Sequence, residues 1–434
     1  MGARELALRV VRDVFPETGV ARTAHAAFDY RARRAGSNER DVAFAAELAY
    51  GAIKMRRTLD WYLAGRFKTV PPVIAEILRL AIYELVYTRA DEYATVFEFV
   101  NLAKRFGHRG LANLVNAVLR GFLRDRPAAP QRELFTNDEE YLATRYSLPT
   151  WLVRQWRSAF EERLEEICAA VDAPAQAALV YNALAGTIDE AVAELSAAGV
   201  ETTRSPIVNE VLLVERGRPE LREDGRWWRQ SESSAMPVDV LNPQPGEAIL
   251  DVCSGRGNKA LQIGARLLRE GMLLCIERDE RKATTLATRL ERVGITAAIV
   301  AGDATQALLP SDRLFDRVML DAPCSGAGIV GRQPEARWKK QHGDGERLAS
   351  TQRALLQQVA RHVYPGGALV YAVCSVDPRE TTEVIDWFLA REKFERGLIP
   401  VAYEGLLTEA GDVLVPPGLA GRDGFYIARL ERRA

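Results

Sequence analysis

A chain of 434 residues is longer than one ordinary hydrophobic core and predicts two or three domains. Its 47% hydrophobic and 27% charged residues exclude a disordered chain. With 58 Lys and Arg against 59 Asp and Glu the net charge is −1, which excludes binding of nucleic acid by bulk positive charge. Any RNA contact has to come from local basic patches.

From Arg4 to about Asp125 the pattern is helical, with almost no strand signal. Asn38 is suited to an N-cap, with Asp41 in the first turn where a carboxylate favours the helix dipole. Phe44, Leu48 and Ile53 follow at roughly helical spacing. Pro71 and Pro72 open a strongly apolar helix (Ile74, Ile77, Leu78, Ile82, Leu85, Val86) that reads as the centre of a bundle. A last helix around Leu111–Leu123 precedes Arg126-Pro127-Ala128-Ala129-Pro130, a linker by composition. Met1–Val10 carries Arg4, Glu5 and Arg9, so no signal peptide is expected there. No apolar run approaches the roughly 20 residues that span a bilayer, and a reducing cytoplasm is the expected setting.

Residues 131–235 are mixed α/β: Trp151–Ala170 reads as an amphipathic helix, and Ala178–Asn182 and Glu210–Val214 as short strands. A polar, Trp-containing segment (Arg216–Ser234) leads to the turn cluster Asn242-Pro243-Gln244-Pro245-Gly246. Strand-like runs then alternate with helical segments: Ala248–Val252, Leu273–Glu277, Ala297–Ala301, Val318–Leu320, Ala368–Val373 and Phe425–Leu430. That rhythm predicts a doubly wound α/β domain over 236–434.

The first of these strands runs into Cys253-Ser254-Gly255-Arg256-Gly257-Asn258-Lys259, where Gly255 and Gly257 permit a tight turn and close approach of a nucleotide-like ligand. Without a third glycine the pattern also fits an ordinary strand–helix turn. Acidic residues end or follow four successive strands: Asp251, Glu277, Asp303 and Asp321. Each alone suits a helix cap; together they outline a ligand crevice in which Glu277 can accept hydrogen bonds from ribose hydroxyls. A nicotinamide oxidoreductase would use the same fold.

Five cysteines (168, 253, 275, 324, 374), odd in number and without a CxxC pair, argue against a disulfide framework or a structural zinc site; no metal is expected. Histidines 25, 108, 342 and 362 are scattered and receive no role. Two cysteines stand apart. Asp321-Ala322-Pro323-Cys324-Ser325-Gly326 and Tyr371-Ala372-Val373-Cys374-Ser375 each follow a strand, so both thiols should emerge at the carboxyl edge of the sheet. Two buried structural thiols are the bland alternative. The chemical one is methylation of cytosine carbon 5, a poor nucleophile until a thiolate adds at carbon 6; a second thiol then helps break the adduct down, and a carboxylic group helps at ring nitrogen 3.

These residues also carry a resemblance. Asp251–Lys259, Asp321–Gly328, Tyr371–Ser375 and Asp423–Leu430 resemble the motifs of the RsmB (Sun/Fmu) family of ribosomal RNA cytosine-5 methyltransferases. Arg40–Phe44, Glu47–Gly51, Leu59-Asp60 and Val115–Arg120 resemble a NusB-type RNA-binding bundle. The resemblance implies an all-α NusB-like bundle over 1–126, a small α+β linker domain over 131–235 and a Rossmann-like class I methyltransferase domain over 236–434. It implies S-adenosylmethionine as cofactor, held by Cys253, Ser254, Gly255, Arg256, Gly257, Asn258, Lys259, Glu277, Asp303 and Asp321. It implies Cys374 as the attacking thiolate, Cys324 as the residue aiding product release, and Asp321 touching the base. Arg332, Pro334, Arg337 and Trp338 match the loop after the Pro-Cys motif, and Arg332, Arg337, Lys339 and Lys340 are expected against RNA phosphates. The expected partner is RNA, foremost small-subunit ribosomal RNA, with no membrane and a monomeric protein.

Arg256 and Asn258 stand where the family has proline and glycine; asparagine tolerates left-handed backbone better than most residues. Methylation of tRNA or another RNA, and a non-catalytic RNA-binding or ribosome-assembly protein with a degenerate cofactor loop, are the alternatives.

Overall fold

The computed structural model describes residues 1–220 and 225–434; residues 221–224, in the polar segment Arg216–Ser234, lie outside the described residues. The chain divides into two compact units, Met1–Arg157 with Arg332–Lys340, and Ser158–Gly331 with Gln341–Ala434.

The first unit is helical: α1 (Ala3–Val14), α2 (Ala24–Ala35), α3 (Glu39–Lys54), α4 (Arg56–Leu63), α5 (Pro72–Tyr87), α6 (Glu92–Phe106) and α7 (Arg109–Asp125). The caps follow the sequence. Asn38 Oδ1 accepts from Asp41 N at 2.8 Å, and Asp91 Oδ1 accepts from Ala94 N at 2.7 Å, each satisfying a donor that its helix leaves unpaired. α5 packs against α1, α3, α4, α6 and α7, with Ile74, Ile77, Leu78 and Ile82 fully buried, as its apolar pattern predicts. It also buries Glu84, whose carboxylate accepts from Arg4 Nη2 at 2.5 Å and Thr95 Oγ1 at 2.6 Å; burial of that charge is tolerable because it is paired and hydrogen-bonded. At Gly51 of α3 a Cβ would stand 1.9 Å from Tyr83 Cζ, so the α3–α5 approach requires glycine.

The expected linker at 126–130 lies within this unit. Arg57 reaches the segment after it, donating to Leu148 O (3.0 Å), Thr150 Oγ1 (2.8 Å) and Glu140 Oε2 (2.5 Å). The predicted helix Trp151–Ala170 is interrupted. Helix Thr150–Phe160 ends where Phe160 leaves helical backbone (φ −145°), a 3₁₀ turn spans Glu161–Arg163, and a second helix covers Leu164–Ala170.

The second unit holds two sheets. The smaller comprises β1 (Ala178–Tyr181), β2 (Glu201–Arg204), β3 (Val211–Arg216) and β4 (Trp227–Arg229), antiparallel in the order β2-β3-β1-β4. Helix Ile188–Ala197 lies against it and opens with a capping box between Thr187 and Glu190. The larger comprises β5 (Ala248–Val252), β6 (Met272–Glu277), β7 (Ala298–Ala301), β8 (Phe315–Asp321), β9 (Val363–Val373), β10 (Phe394–Arg396), β11 (Val413–Val415) and β12 (Phe425–Arg432). Its order is β10-β12-β9-β8-β5-β6-β7, with β11 also on β12.

β5 to β9 are parallel and β12 runs against β9. Alternate residues face opposite layers. Ile249, Met319 and Val370 join one core with Met236, Ile263 and Leu286, while Leu250, Val318 and Leu369 join another with Leu356, Val359 and Ile385. Burial on both faces explains the continuous apolar strands. β5 feeds β6 and β7 on one side and has β8 and β9 on the other, so the order reverses at β5/β8 and a crevice opens at their carboxyl ends. Among the described residues no helix is long and apolar enough to cross a membrane.

Candidate active site

The loop after β5 turns on left-handed backbone at Cys253 (φ +61°), Gly255 (φ +59°) and Gly257 (φ +89°). A Cβ on Gly257 would also meet Leu286 Cδ1 at 2.4 Å, so this position excludes a side chain twice over. Glu277, ending β6, clamps the loop: its Oε2 accepts from Gly255 N at 2.7 Å and its Oε1 from Asp279 N at 2.9 Å. After β7, Asp303 accepts from Thr305 N (3.0 Å) and Thr305 Oγ1 (2.8 Å), bonds that hold its carboxyl below the usual range. Cys253, Gly255, Ile276, Glu277, Asp303 and Asp321 line a cavity of about 360 Å³ at the carboxyl edge of the sheet.

Five of the residues expected to hold cofactor, Cys253, Gly255, Glu277, Asp303 and Asp321, thus surround one cavity. The others act differently. Ser254 Oγ donates to Asp251 O (2.9 Å), which braces the turn, and Lys259 donates to Asp321 Oδ2 at 2.7 Å. Arg256 is exposed. Asn258 corrects the expectation of left-handed backbone: it is the first residue of helix Asn258–Arg266, and the left-handed residue is Gly257 before it. Arg289 Nη1 anchors both changed positions, donating to Asn258 Oδ1 (2.8 Å) and Arg256 O (2.6 Å). Neither residue lines the cavity.

From the sequence Asp251 opens the loop motif and is one of the four carboxylates that outline the crevice. In the structure it is fully buried; the Ser254 hydroxyl is directed to Asp251 O, so neither carboxylate oxygen meets a donor in good geometry, and the nearby Ser254 and Lys259 only partly oppose the effect of burial. Burial first, and the negative charge of Asp321 among its neighbours, pushes its carboxyl up to about 7. Burial likewise pushes the Cys253 thiol up to about 12.

β8 and β9 pair in parallel register with Asp321 beside Ala372, so the two loops that follow start side by side. Cys324 Sγ and Cys374 Sγ stand 3.2 Å apart. The hydrogen bond to Cys374, then burial, raises the Cys324 thiol well above its ordinary range, so Cys324 keeps a proton that it can share with Cys374. Gly328 N donates to Cys374 O at 3.1 Å, and Gly328 O accepts from Gly424 N at 2.8 Å, which ties the Pro-Cys loop to both flanking motifs.

Sequence reasoning missed Glu380. It is fully buried, and its carboxylate accepts from Ser325 N (2.8 Å), Ser325 Oγ (2.5 Å), Ser375 Oγ (2.6 Å) and Gln352 Nε2 (3.1 Å). The only signal available was an acidic residue opening an apolar helix, which looks like any first-turn carboxylate.

The expected RNA-facing residues belong to the other unit and separate into two kinds. Arg332 and Lys339 are exposed, Lys340 is half-buried, and Lys339 Nζ donates to Arg22 O at 2.7 Å. Arg337 corrects the expectation. It is 1% exposed and its guanidinium donates to Ser147 O at 3.1 Å, while Trp338 Nε1 donates to Ile53 O at 2.6 Å; both side chains fasten the segment to the helices. Among the described residues no group of three or more His, Cys, Asp or Glu side chains gathers to hold a metal ion.

Comparison with known proteins accords with this geometry. Residues 238–431 match the family model described as 16S rRNA methyltransferase RsmB/F, residues 1–124 match the NusB family, and residues 148–219 match the ferredoxin-like domain of RsmF/B-like methyltransferases. The chain is 30% identical to the probable ribosomal RNA small subunit methyltransferase B of Synechocystis, over 100% of both chains. It is 31% identical to ribosomal RNA small subunit methyltransferase B of Pseudomonas putida, over 91% of each. The crystal structure of PH0851 shares the fold, with a TM-score of 0.83 at 22% identity over 100% of this chain and 99% of that one.

Proposed function

The chain belongs to the RsmB family of S-adenosylmethionine-dependent ribosomal RNA methyltransferases, and from this premise we propose that it methylates carbon 5 of a cytosine in small-subunit ribosomal RNA through a covalent adduct on Cys374. The observation that carries this reading is the pair of thiols 3.2 Å apart in the loops after β8 and β9, the first of which starts from Asp321, a residue that also lines the cavity at the sheet edge.

The residues around that cavity fit the cofactor. The carboxylates of Glu277 and Asp303 can accept from hydroxyl groups, and the buried carboxylate of Asp251, behind the lining and two residues before Cys253, adds negative charge that favours a cation in the cavity. When bound, S-adenosylmethionine supplies an electrophilic methyl group.

The protein's own part follows. The target cytosine leaves its helix to reach the thiols. The Cys374 thiolate bonds to carbon 6, and the electron pair displaced from the 5,6 double bond makes carbon 5 nucleophilic. At ring nitrogen 3, where negative charge develops, the Lys259–Asp321 pair (Nζ to Oδ2, 2.7 Å) supplies a proton, which returns to the pair as the adduct breaks down. After carbon 5 is methylated its proton passes to water; the electron pair of that C–H bond reforms the 5,6 double bond, the carbon 6–sulfur bond breaks and the Cys374 thiolate returns. Cys324 assists this breakdown by donating its S–H hydrogen bond to the departing Cys374 sulfur, 3.2 Å away. Arg332, Lys339 and Lys340 supply positive charge for RNA phosphates.

Trapping tests the scheme. Cys324→Ala should accumulate a covalent RNA adduct resistant to denaturation, and Cys374→Ala should not. RNA methylation by the double variant would overturn the mechanism. Bisulfite mapping of RNA from cells lacking the protein should show the missing mark in small-subunit ribosomal RNA; a loss confined to tRNA would overturn the substrate.

A further inference from the structure

We infer that Glu380 is a positioning residue for the two thiols, its buried carboxylate fastening the loop that carries Cys324 to the loop that carries Cys374. The inference rests on the proposed use of both cysteines in one reaction. Ser325 and Ser375 each directly follow one of those cysteines, and both hydroxyls donate to the same oxygen, Glu380 Oε2, at 2.5 and 2.6 Å. The other oxygen, Oε1, accepts from Ser325 N at 2.8 Å and Gln352 Nε2 at 3.1 Å. Gln352 Nε2 also donates to Pro323 O at 3.0 Å, the residue before Cys324. From the other side, Tyr371 OH donates to the main-chain oxygen of Glu380 at 2.7 Å, three residues before Cys374. One residue is therefore bonded on both flanks of the thiol pair.

The placement is not that of an ordinary cap. Glu380 precedes helix Thr382–Leu389, where an acidic side chain normally stays in water and accepts from its own helix. Here the side chain is turned inward, is fully buried, and takes the four named donors from other elements. A buried carboxylate needs such partners to offset its lost hydration, so the network is self-consistent only while both loops are in place. β8 and β9 bring the loops side by side, but the strand ladder ends at Asp321 and Ala372, and between the loops beyond it the main chain adds Ala322 N to Ala372 O at 2.9 Å and Gly328 N to Cys374 O at 3.1 Å. Side-chain linkage of the residues next to the thiols comes from Glu380, whose bonds to Ser325 and Ser375 flank the 3.2 Å gap.

Disulfide closure provides a ruler that needs neither RNA nor cofactor. Treated with diamide, the full-length reduced protein should form a Cys324–Cys374 bond: each thiol gives up one proton and one electron, and the azo bond of the reagent is reduced to the hydrazine. Peptide mass mapping follows the product with time. Glu380→Ala should slow closure at least about tenfold and lower kcat by about 10²-fold, while cofactor Kd and RNA KM stay within about twofold of wild type. Glu380→Gln keeps one acceptor oxygen and should recover part of both rates. If Glu380→Ala does not fold, Glu380→Gln and Ser375→Ala decide the matter, with partial slowing expected in each.

Wild-type closure rates and kcat across the folded variants would overturn the inference. So would a fall in kcat that comes entirely with a loss of cofactor affinity, since that is a general structural defect. If the wild type closes the disulfide and the variants close it slowly, but no form methylates RNA, the function reading fails and the linkage of the loops stands.

Discussion

Replacing Asp251 by Asn should abolish a pH dependence of S-adenosylmethionine binding that the wild type carries. Asp251 is fully buried, unpartnered, and has its carboxyl pushed up to about 7 from a reference of 3.8. A carboxyl raised in the folded state holds its proton below that value and ionises above it. The cationic cofactor favours the ionised form, so it binds the protonated protein poorly. About one Asp251 in eleven is ionised at pH 6 and about ten in eleven at pH 8, so affinity should fall roughly tenfold from pH 8 to pH 6. At pH 7 about half a proton per site should leave on binding.

Titration calorimetry in two buffers of different ionisation enthalpy measures both quantities. Asp251→Asn should bind more weakly at pH 8, with a flat profile and no proton release from this site. The same raised carboxyl makes the cofactor-free protein lose stability as pH rises through the interval from about 4 to 7, because the unfolded chain ionises first. A wild-type Kd equal at pH 6 and pH 8, without buffer-dependent heat, would refute the reasoning.

Three further outcomes are expected. Gly328→Ala puts a Cβ 2.1 Å from Gly424 O, so backbone must separate; a stability loss of about 1–3 kcal/mol, read as a lowered midpoint in urea, checks it. Arg337→Met should destabilise the protein by about 1–3 kcal/mol by leaving the buried Ser147 carbonyl unpaired, without changing the salt dependence of RNA binding, whereas Lys340→Ala should leave stability intact and reduce the salt slope by about one. Cys253, with its thiol pushed up to about 12, should resist iodoacetamide at pH 8 in the cofactor-free protein even though it lines the cavity; rapid alkylation there would contradict that environment.

Much of the architecture is legible in the residues themselves. Asn38 caps α3, the prolines open α5, and continuous apolar runs such as Val318–Leu320 and Ala368–Val373 are what strands buried on both faces require. The glycines at 255 and 257 and the cysteine after each of β8 and β9 likewise announce a loop that approaches a ligand and two thiols at one sheet edge, because those are local demands on backbone and spacing. What local pattern does not encode is which atoms meet. Arg337 reads as a basic loop residue and is buried against carbonyls, Asn258 reads as a strained turn and is helical, and Asp251 and Glu380 read as ordinary carboxylates until burial decides their surroundings. The sequence by itself determined the fold class, the crevice and the two thiols. Only the tertiary structure decided the 3.2 Å approach of the sulfurs, the carboxylate that links their loops and the carboxyl raised to about 7, since each depends on partners far apart in the chain and on water excluded from between them.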